Sequence, residues 1–447
     1  MIFHQIGKNL VIKLLALEAR IAISRAKPKI IAVTGSVGKT STKDLIYTVL
    51  ASSLTTSVRK NEKSLNSEFG VPLTILGLKT AWNSPIDWLI NLLTGFYRAI
   101  TYSLKPKTYP QYLVLEMGAD HPGDIKYNVT NFKPTIGVLT GIGTEVPVHV
   151  EFFSTIEDLV REKSELLKAL PEDGIAIINR DDARAWEARD STRAHVISYG
   201  FTGDANIKGD NLRISYADTG QPKGMNLRVD YAGKSVPVRL CGVLGKGHAY
   251  SALAAFAVGV NMGMNIINIA DALGRHKFAP CRLRILEGRN GSTLIDDTYN
   301  SSPSAVKLAL ETLYDINLGS RIPSCRKIAV LGDMLELGEY SESEHKKVGT
   351  WIRGVIDVLV CVGERAKWIG ESAISDGFPP DHVHYFPDSV SSGNFLTSDF
   401  DIRASDVILL KASQSVRLER ATEALLVDPS KANELLVRQE KEWKNKK

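Results

Sequence analysis

The 447-residue chain has only four cysteines, Cys241, Cys281, Cys325 and Cys361, spaced 40, 44 and 36 residues apart with no C-x-x-C pair. That spacing argues against a zinc site and against a secreted disulfide framework, and it makes a reducing cytoplasm the expected compartment. No run reaches the roughly 18 uncharged apolar residues of a membrane span. Low-complexity tracts and internal repeats are lacking. There is also little surplus of either charge: 55 Lys+Arg against 50 Asp+Glu give +5, and residues 1–29, with Lys8, Lys13, Arg20, Arg25, Lys27 and Lys29 against Glu18, hold all of it. A broadly cationic nucleic-acid binder is thereby excluded, because it needs basic residues spread over a folded face.

With 44% hydrophobic and 23% charged residues, the composition is that of an ordinary globular enzyme, long enough for two large domains or three smaller ones. Near the N-terminus, Phe3, Ile6, Leu10, Leu14, Leu17 and Ile21 recur at helical spacing, with Ile12 and Ile23 off the stripe. Lys13 splits this segment and no small-residue cleavage site follows, which argues against a signal peptide. A second apolar helix is predicted from Ser84-Pro85-Ile86-Asp87, which reads as an N-cap, Pro at N1 and an acidic first turn. Leu89, Leu92, Leu93, Phe96, Ile100 and Leu104 follow at helical spacing, among Trp82, Trp88, Tyr97 and Tyr102. Both segments read first as helices packed on the protein's own core. A peripheral membrane or protein contact through residues 1–25 and 82–104 is the alternative.

Apolar runs at 29–33, 112–115, 136–139 and 175–178, each followed by loop residues and a helical pattern, predict a parallel α/β sheet. Polar-apolar alternation within 195–244 predicts a small antiparallel sheet, and Ala-rich helices follow to about residue 273. The α/β alternation restarts after Ser292, with strands expected at 293–296, 327–331, 358–362 and 406–411. The expected fold class is α/β: an N-terminal amphipathic helix (1–28), a central domain (29–278) with a mostly parallel sheet plus a small antiparallel one, and a Rossmann-like C-terminal α/β domain (279–447).

Between the first predicted strand and its helix lies Thr34-Gly35-Ser36-Val37-Gly38-Lys39-Thr40-Ser41. Glycines let backbone N–H groups close on phosphate oxygens, a helix N-terminus adds partial positive charge, a lysine reaches the β and γ phosphates, and a Thr hydroxyl can bind Mg²⁺. Val33 stands where the usual G-x-x-x-x-G-K-[ST] loop has its first glycine. Nucleoside triphosphate binding is the expectation, by Gly35 to Ser41. The absence of any N-K-x-D base-recognition sequence excludes a GTPase, while a kinase or a generic ATPase stays open.

The shortened loop T-G-x-x-G-K-T resembles that of the Mur ligase family, the ATP-dependent amide ligases of peptidoglycan precursor synthesis. Asn66-Ser67-Glu68-Phe69-Gly70-Val71-Pro72-Leu73-Thr74 is similar to the family's substrate-side run. Glu116-Met117-Gly118-Ala119, Val148-His149-Val150-Glu151-Phe152 and Glu162-Lys163-Ser164-Glu165-Leu166 are similar to its metal-glutamate, metal-histidine and modified-lysine segments. Asp296-Asp297-Thr298-Tyr299-Asn300-Ser301-Ser302-Pro303 and Leu331-Gly332-Asp333-Met334-Leu335-Glu336-Leu337-Gly338 resemble the branch of the family whose amine substrate is D-alanyl-D-alanine.

The resemblance implies an ATP-dependent, C–N bond-forming ligase that adds D-alanyl-D-alanine to a muramoyl-peptide carboxylate through an acyl phosphate. It implies Mg²⁺ held by Thr40, Glu116 and His149, a lysine carbamate at Lys163, and catalysis by Lys39, Lys163, His149 and Glu116. His248 and Asn300 are implied to lie near the adenosine, and Asn66, Ser67, Glu68, Asp333 and Lys411 to bind substrate. Read without the resemblance, Glu116 is a strand-end carboxylate, His149 and His248 are structural histidines, and Lys163 lies on a solvated helix face. Family members of this type usually begin with a UDP-sugar-binding domain; here only 28 residues precede the first predicted strand, which leaves the acyl substrate open. A related ligase with a different acyl substrate and a non-catalytic ATP-binding subunit are the alternatives.

Overall fold

The apolar run after Pro28 forms β1 (Lys29–Thr34), buried from Ile30 onward, as a strand covered by helices on both faces must be. This computed structural model describes residues 2–53, 57–62, 65–81, 84–147, 149–316, 325–440 and 443, without the side chains of 2–7 and 9. Phe3 and Ile6 (as side chains), Trp82 and Val148 therefore lie outside the described residues.

The first sheet contains β1, β2 (Val58–Lys60), β3 (Tyr112–Glu116), β4 (Ile136–Leu139), β5 (Ile175–Asn179), β6 (His195–Gly200), β7 (Ile207–Tyr216), β8 (Pro222–Tyr231) and β9 (Lys234–Cys241). Its order is β2-β3-β1-β4-β5-β6-β7-β8-β9. Pairing is parallel as far as the short β6–β7 contact at Tyr199↔Ile207, then antiparallel. The expected antiparallel unit is thus the far edge of the same sheet, and β6, expected in it, belongs to the parallel section. Because β1 lies between β3 and β4, its carboxyl end opens on a crevice where strand order reverses, the usual ligand position in such sheets.

The second sheet contains β10 (Arg284–Glu287), β11 (Thr293–Asp296), β12 (Lys327–Gly332), β13 (Val358–Val362), β14 (Val383–Phe386) and β15 (Val407–Lys411), in the order β10-β11-β15-β12-β13-β14. Only β10 runs antiparallel to its neighbour. The two sheets share one apolar core, which joins Ile31 and Leu253 of the first to Leu310 and Leu331 of the second.

In chain order the helices used below are α1 (Ile2–Ala26), α2 (Lys39–Ala51), α3 (Gly70–Leu76), α4 (Pro85–Leu104), α5 (Asp124–Phe132), α6 (Ile156–Lys168), α7 (Ala183–Glu187), α8 (Lys246–Asn261), α9 (Ile266–Gly274) and α10 (Pro303–Asp315). The α4 start follows the sequence reading: the Ser84 hydroxyl accepts from Asp87 N at 3.2 Å, and Pro85 opens the helix.

The faces of α1 and α4 do not follow it. In α1 the buried apolar residues are Ile12, Leu15, Ala16, Ala19 and Ala22, whereas Leu10, Leu14 and Leu17 of the expected core stripe face solvent. In α4 only Gly95 and Ala99 are buried. The reason is helix-to-helix distance. A Cβ on Gly95 would lie 2.2 Å from Glu18 Oε2, so α1 and α4 approach through small residues that bulky side chains would hold apart.

Candidate functional site

Gly35 and Gly38 shape the loop between β1 and α2. Gly35 has φ +146°, and a Cβ there would meet Thr140 Oγ1 at 2.0 Å; Gly38 caps α2 at φ +80°. Both conformations favour glycine. Ser36 N and Val37 N donate to Gly141 O at 2.8 and 3.1 Å, and Thr140 Oγ1 donates to Val37 O at 2.7 Å. The N–H groups of Ser36 and Val37 are thus committed to the end of β4. The first turn of α2 is where helix geometry leaves N–H groups without intrahelical acceptors.

Lys39 Nζ donates to Gly35 O at 2.9 Å and to Ser36 O at 3.3 Å, and Lys163 Nζ donates to Gly35 O at 3.2 Å. Two amino groups therefore converge on one carbonyl. Burial pushes the Lys39 pKa down, against the pull of Glu116 and Asp120. Burial, with Lys39 beside it, pushes Lys163 down to about 7. The solvated-face reading of Lys163 is overturned: it is 3% exposed. The stretch is turned inward because the Glu162 carboxylate accepts from Gly123 N, Ile125 N and Lys126 N at the start of α5.

Glu116 ends β3 as expected. Asn61 brackets its backbone, and its Oε1 accepts from Asn66 Nδ2 at 3.1 Å. Oε2 is buried without a hydrogen-bond partner, 3.8 Å from Lys43 Nζ. His149, at φ +70°, sits between two carboxylates, with Nε2 3.5 Å from Asp120 Oδ1 and Nδ1 2.8 Å from Glu336 Oε2. The Thr40 hydroxyl accepts from Arg282 Nη2 at 3.2 Å. No group of three or more His, Cys, Asp or Glu converges among the described residues. The Glu116 oxygen that lacks a hydrogen bond nonetheless fits a cation that takes its other ligands from phosphate and water.

One cavity of about 610 Å³ gathers these groups, within the size range of ligand pockets. Of the sequence-predicted residues, Ser36, Val37, Gly38, Lys39, Thr40, Ser41, Asn66, Glu116, His149, Lys163, His248, Asn300 and Lys411 line it. Four expected residues do not. Gly35 is part of the loop, and its carbonyl is taken by Lys39 and Lys163. The Ser67 hydroxyl accepts from Gly70 N at 3.4 Å, Glu68 pairs with Lys8 of α1 at 3.5 Å, and Asp333 Oδ1 accepts from Arg365 N and Ala366 N at 2.9 and 2.8 Å. Asp333 thus secures the turn before helix Lys367–Ser375, and the cavity is faced instead by Leu335 and Glu336.

The second domain supplies Lys411 at 2% exposure, its Nζ 2.7 Å from Asp297 Oδ2 and 2.9 Å from Asn300 O. His248 is held neutral, burial taking its pKa down to about 4, and its Nε2 lies 2.8 Å from Arg282 O. A neutral ring facing a carbonyl must donate through Nε2, so Nδ1, which has no partner, is left as an acceptor. Sequence reasoning missed Arg282, whose guanidinium lies 4.1 Å over the Tyr299 ring, and also Asp120, Asp297 and Tyr299. Arg282 lies just past the expected domain boundary at 278 and in none of the quoted motifs, and its partner Thr40 is 242 positions away.

Architecture and cavity together define a class, that of α/β phosphate-loop proteins whose site is completed by a second, mostly parallel domain. Comparison with known families narrows it: residues 33–84 and 98–259 match the Mur ligase middle domain and 281–414 match the Mur ligase glutamate ligase domain, so the chain belongs to the Mur ligase family. Among curated relatives, the UDP-N-acetylmuramoyl-tripeptide--D-alanyl-D-alanine ligase of Mycobacterium leprae is 31% identical over 421 residues, 89% of this chain and 74% of that protein. The ligase of the same name from Bacillus subtilis is 27% identical, over 90% and 76%. The crystal structure of a Thermotoga maritima MurF ligase in complex with ADP superposes with a TM-score of 0.72 at 25% identity, covering 95% of this chain and 84% of that one. MurF from Acinetobacter baumannii gives 0.73 at 24% identity, over 92% and 79%, a likeness of fold.

Proposed function

We propose that the chain is an ATP-dependent ligase that joins D-alanyl-D-alanine to the carboxylate of a muramoyl-tripeptide in peptidoglycan precursor synthesis. The observation that carries this reading is the convergence of Lys39 and Lys163 on Gly35 O, in a cavity closed by Lys411 and Asp297, within a chain aligned over most of its length with ligases of that name. A carboxylate is a poor electrophile toward an amine. Transfer of the ATP γ-phosphoryl group solves this: a carboxylate oxygen bonds to phosphorus, the bond to ADP breaks, and the acyl phosphate has a good leaving group. The amine nitrogen then bonds to the acyl carbon, phosphate departs with the C–O bond electrons, and the amine proton passes to solvent.

Bringing a carboxylate to a triphosphate requires concentrated positive charge. Lys39 supplies it at the loop and Arg282 next to Thr40. The residues that would hold Mg²⁺ are Thr40 and Glu116, with His149 across the cavity; bound there, the ion would offset phosphate charge. Lys163, as its carbamate, would place an anionic oxygen beside Lys39. His248 lines the cavity and would lie near the adenosine. Asn66, reached through Glu116, lies on the acyl-substrate side, and Lys411 on the side of the amine.

The test is phosphate release by the pure protein with ATP, Mg²⁺, UDP-muramoyl-tripeptide and D-alanyl-D-alanine. The reading requires release to depend on both acid and amine, with a pentapeptide product seen by mass spectrometry. Release dependent on a different acid would move the protein to another branch of the family; release dependent on neither would end the ligase reading.

A further inference from the structure

The helices α1 and α4 pack on each other, Gly95 of α4 against Glu18 of α1, and while Leu15, Trp88 and Leu92 pack on the core, each helix also turns a row of apolar side chains outward. On α4, Ile86, Leu89, Ile90, Leu93, Phe96, Tyr97, Ile100 and Leu104 are all exposed, Tyr97 to 70% and Leu104 to 76%. At 100° per residue they occupy one arc that holds no charged residue. Leu10, Leu14 and Leu17 extend the surface onto α1. An uninterrupted apolar arc along a helix of 20 residues, roughly 30 Å long, is not left to water without a use. Residues 85–97 and everything before residue 33 lie outside the matched family domains, so most of the surface, all but Ile100 and Leu104, belongs to segments apart from the matched regions.

The charges around this surface specify what covers it. Exposed Lys13 and Arg20 border one side of the α1 leucine stripe and Arg25 the other, and exposed Lys105 and Lys107 follow the end of α4. The acids of the two helices are Glu18, buried between them, and Asp87 in the first turn of α4. A second copy docked through the same face would offer these cations only Asp87 from the two helices, since Glu18 is buried. An apolar protein partner gives the cations no role. A bilayer with anionic headgroups satisfies both features, and among the described residues no helix is long and apolar enough to cross it.

We propose that α1 and α4 form an interfacial docking surface for an anionic bilayer, with the apolar arc of α4 at acyl-chain level and the cations at the headgroups. The proposal is independent of the ligation chemistry. Its geometric consequence is local: α1 reaches the loop that carries the cavity residue Asn66, through Lys8 to Glu68 at 3.5 Å, and Phe69 of that loop lies 5.4 Å from Trp88 of α4.

The experiment is flotation of the full chain with vesicles of equal parts phosphatidylglycerol and phosphatidylcholine, and with phosphatidylcholine alone. The expected result is binding to the anionic vesicles at least about 10-fold tighter than to the neutral ones. Leu93→Glu/Phe96→Glu should lose binding by about 10-fold or more with unchanged phosphate release, and Lys13→Glu/Arg20→Glu should lose the preference for phosphatidylglycerol. Should the glutamates on α4 lower the Tm, Ile90→Ser/Tyr97→Ser tests the same arc. No flotation of the unaltered protein, or flotation undiminished in a folded α4 variant, overturns the proposal. So does a dimer in sedimentation equilibrium that an α4 variant dissociates while vesicles bind neither form.

Discussion

A lysine reacts with CO₂ only through its neutral amine, so the chemistry at Lys163 depends on how much of that form the fold supplies. An ordinary lysine, with a pKa near 10.5, is only about 0.3% neutral at pH 8, whereas one at about 7 is about 90% neutral, a gain of about 300-fold in reactive amine. Burial supplies most of this shift and the neighbouring Lys39 adds to it. Carbamylation would join the neutral amine nitrogen to the carbon of CO₂ and release one proton to solvent, leaving an anion next to Lys39.

Two measurements follow. Ligation in CO₂-stripped buffer should fall by at least about 10-fold and recover with bicarbonate, and at fixed dissolved CO₂ the recovered rate should rise through about pH 7 as the amine deprotonates. Protein equilibrated with ¹³C-bicarbonate should show a carbamate carbon resonance that Lys163→Gln lacks, and that variant should lose at least about 100-fold in kcat. Full activity without CO₂, together with no labelled carbamate, would refute the reasoning.

Lys39→Ala should abolish acid- and amine-dependent phosphate release, by at least about 100-fold, while leaving the Tm near its starting value; retained turnover would sink the phosphate-loop assignment. Glu145 spans the two domains, bonded to Lys347 and, at 3.0 Å, to Lys307. Burial raises its pKa but those hydrogen bonds hold it net below the usual carboxylate value, so the tie persists at neutral pH and weakens as acid protonates it. Glu145→Gln should enlarge the radius of gyration in small-angle scattering and raise KM for ATP several-fold; an unchanged scattering curve would count against the tie. Burial lifts Glu18 from 4.5 to about 7, so the folded chain keeps a proton that the unfolded chain loses between those values. Its cost to stability therefore grows as pH rises from about 4.5 to 7 and is constant above. Glu18→Gln should be more stable than the parent at pH 8, by on the order of 1–2 kcal/mol in urea titration, and no different at pH 4.

The parts of the molecule legible in the sequence are those fixed by local backbone chemistry. The phosphate loop could be read because its turns need glycine at φ +146° and +80°, and the start of α4 because Ser84 caps its own first turn. Strands β11 and β13 fell where their apolar runs did. Positions decided by distant partners were not legible. Asp333 looked like a ligand-facing carboxylate at the end of β12, but amides more than thirty residues on claim it, and Glu68 is drawn to Lys8, sixty residues earlier. Periodicity marked an apolar stripe on α1 and α4 but carried no information on which phase the stripe meets. Beside Ile12 and Leu15, the buried faces are built from alanine and glycine, which hydropathy ranks below leucine although they allow the closer approach.

The clasp between the phosphate loop and the end of β4 bears on how a nucleotide is received. With Ser36 N and Val37 N held by Gly141 O, and Val37 O held by Thr140, the loop spends its conformational freedom when the chain folds. A nucleotide meets a finished mould and pays little ordering entropy there. The ordering that remains lies across the cavity, where groups of the second domain must meet groups of the first, so affinity for the triphosphate and closure of the enzyme are separable quantities, set by different parts of the chain.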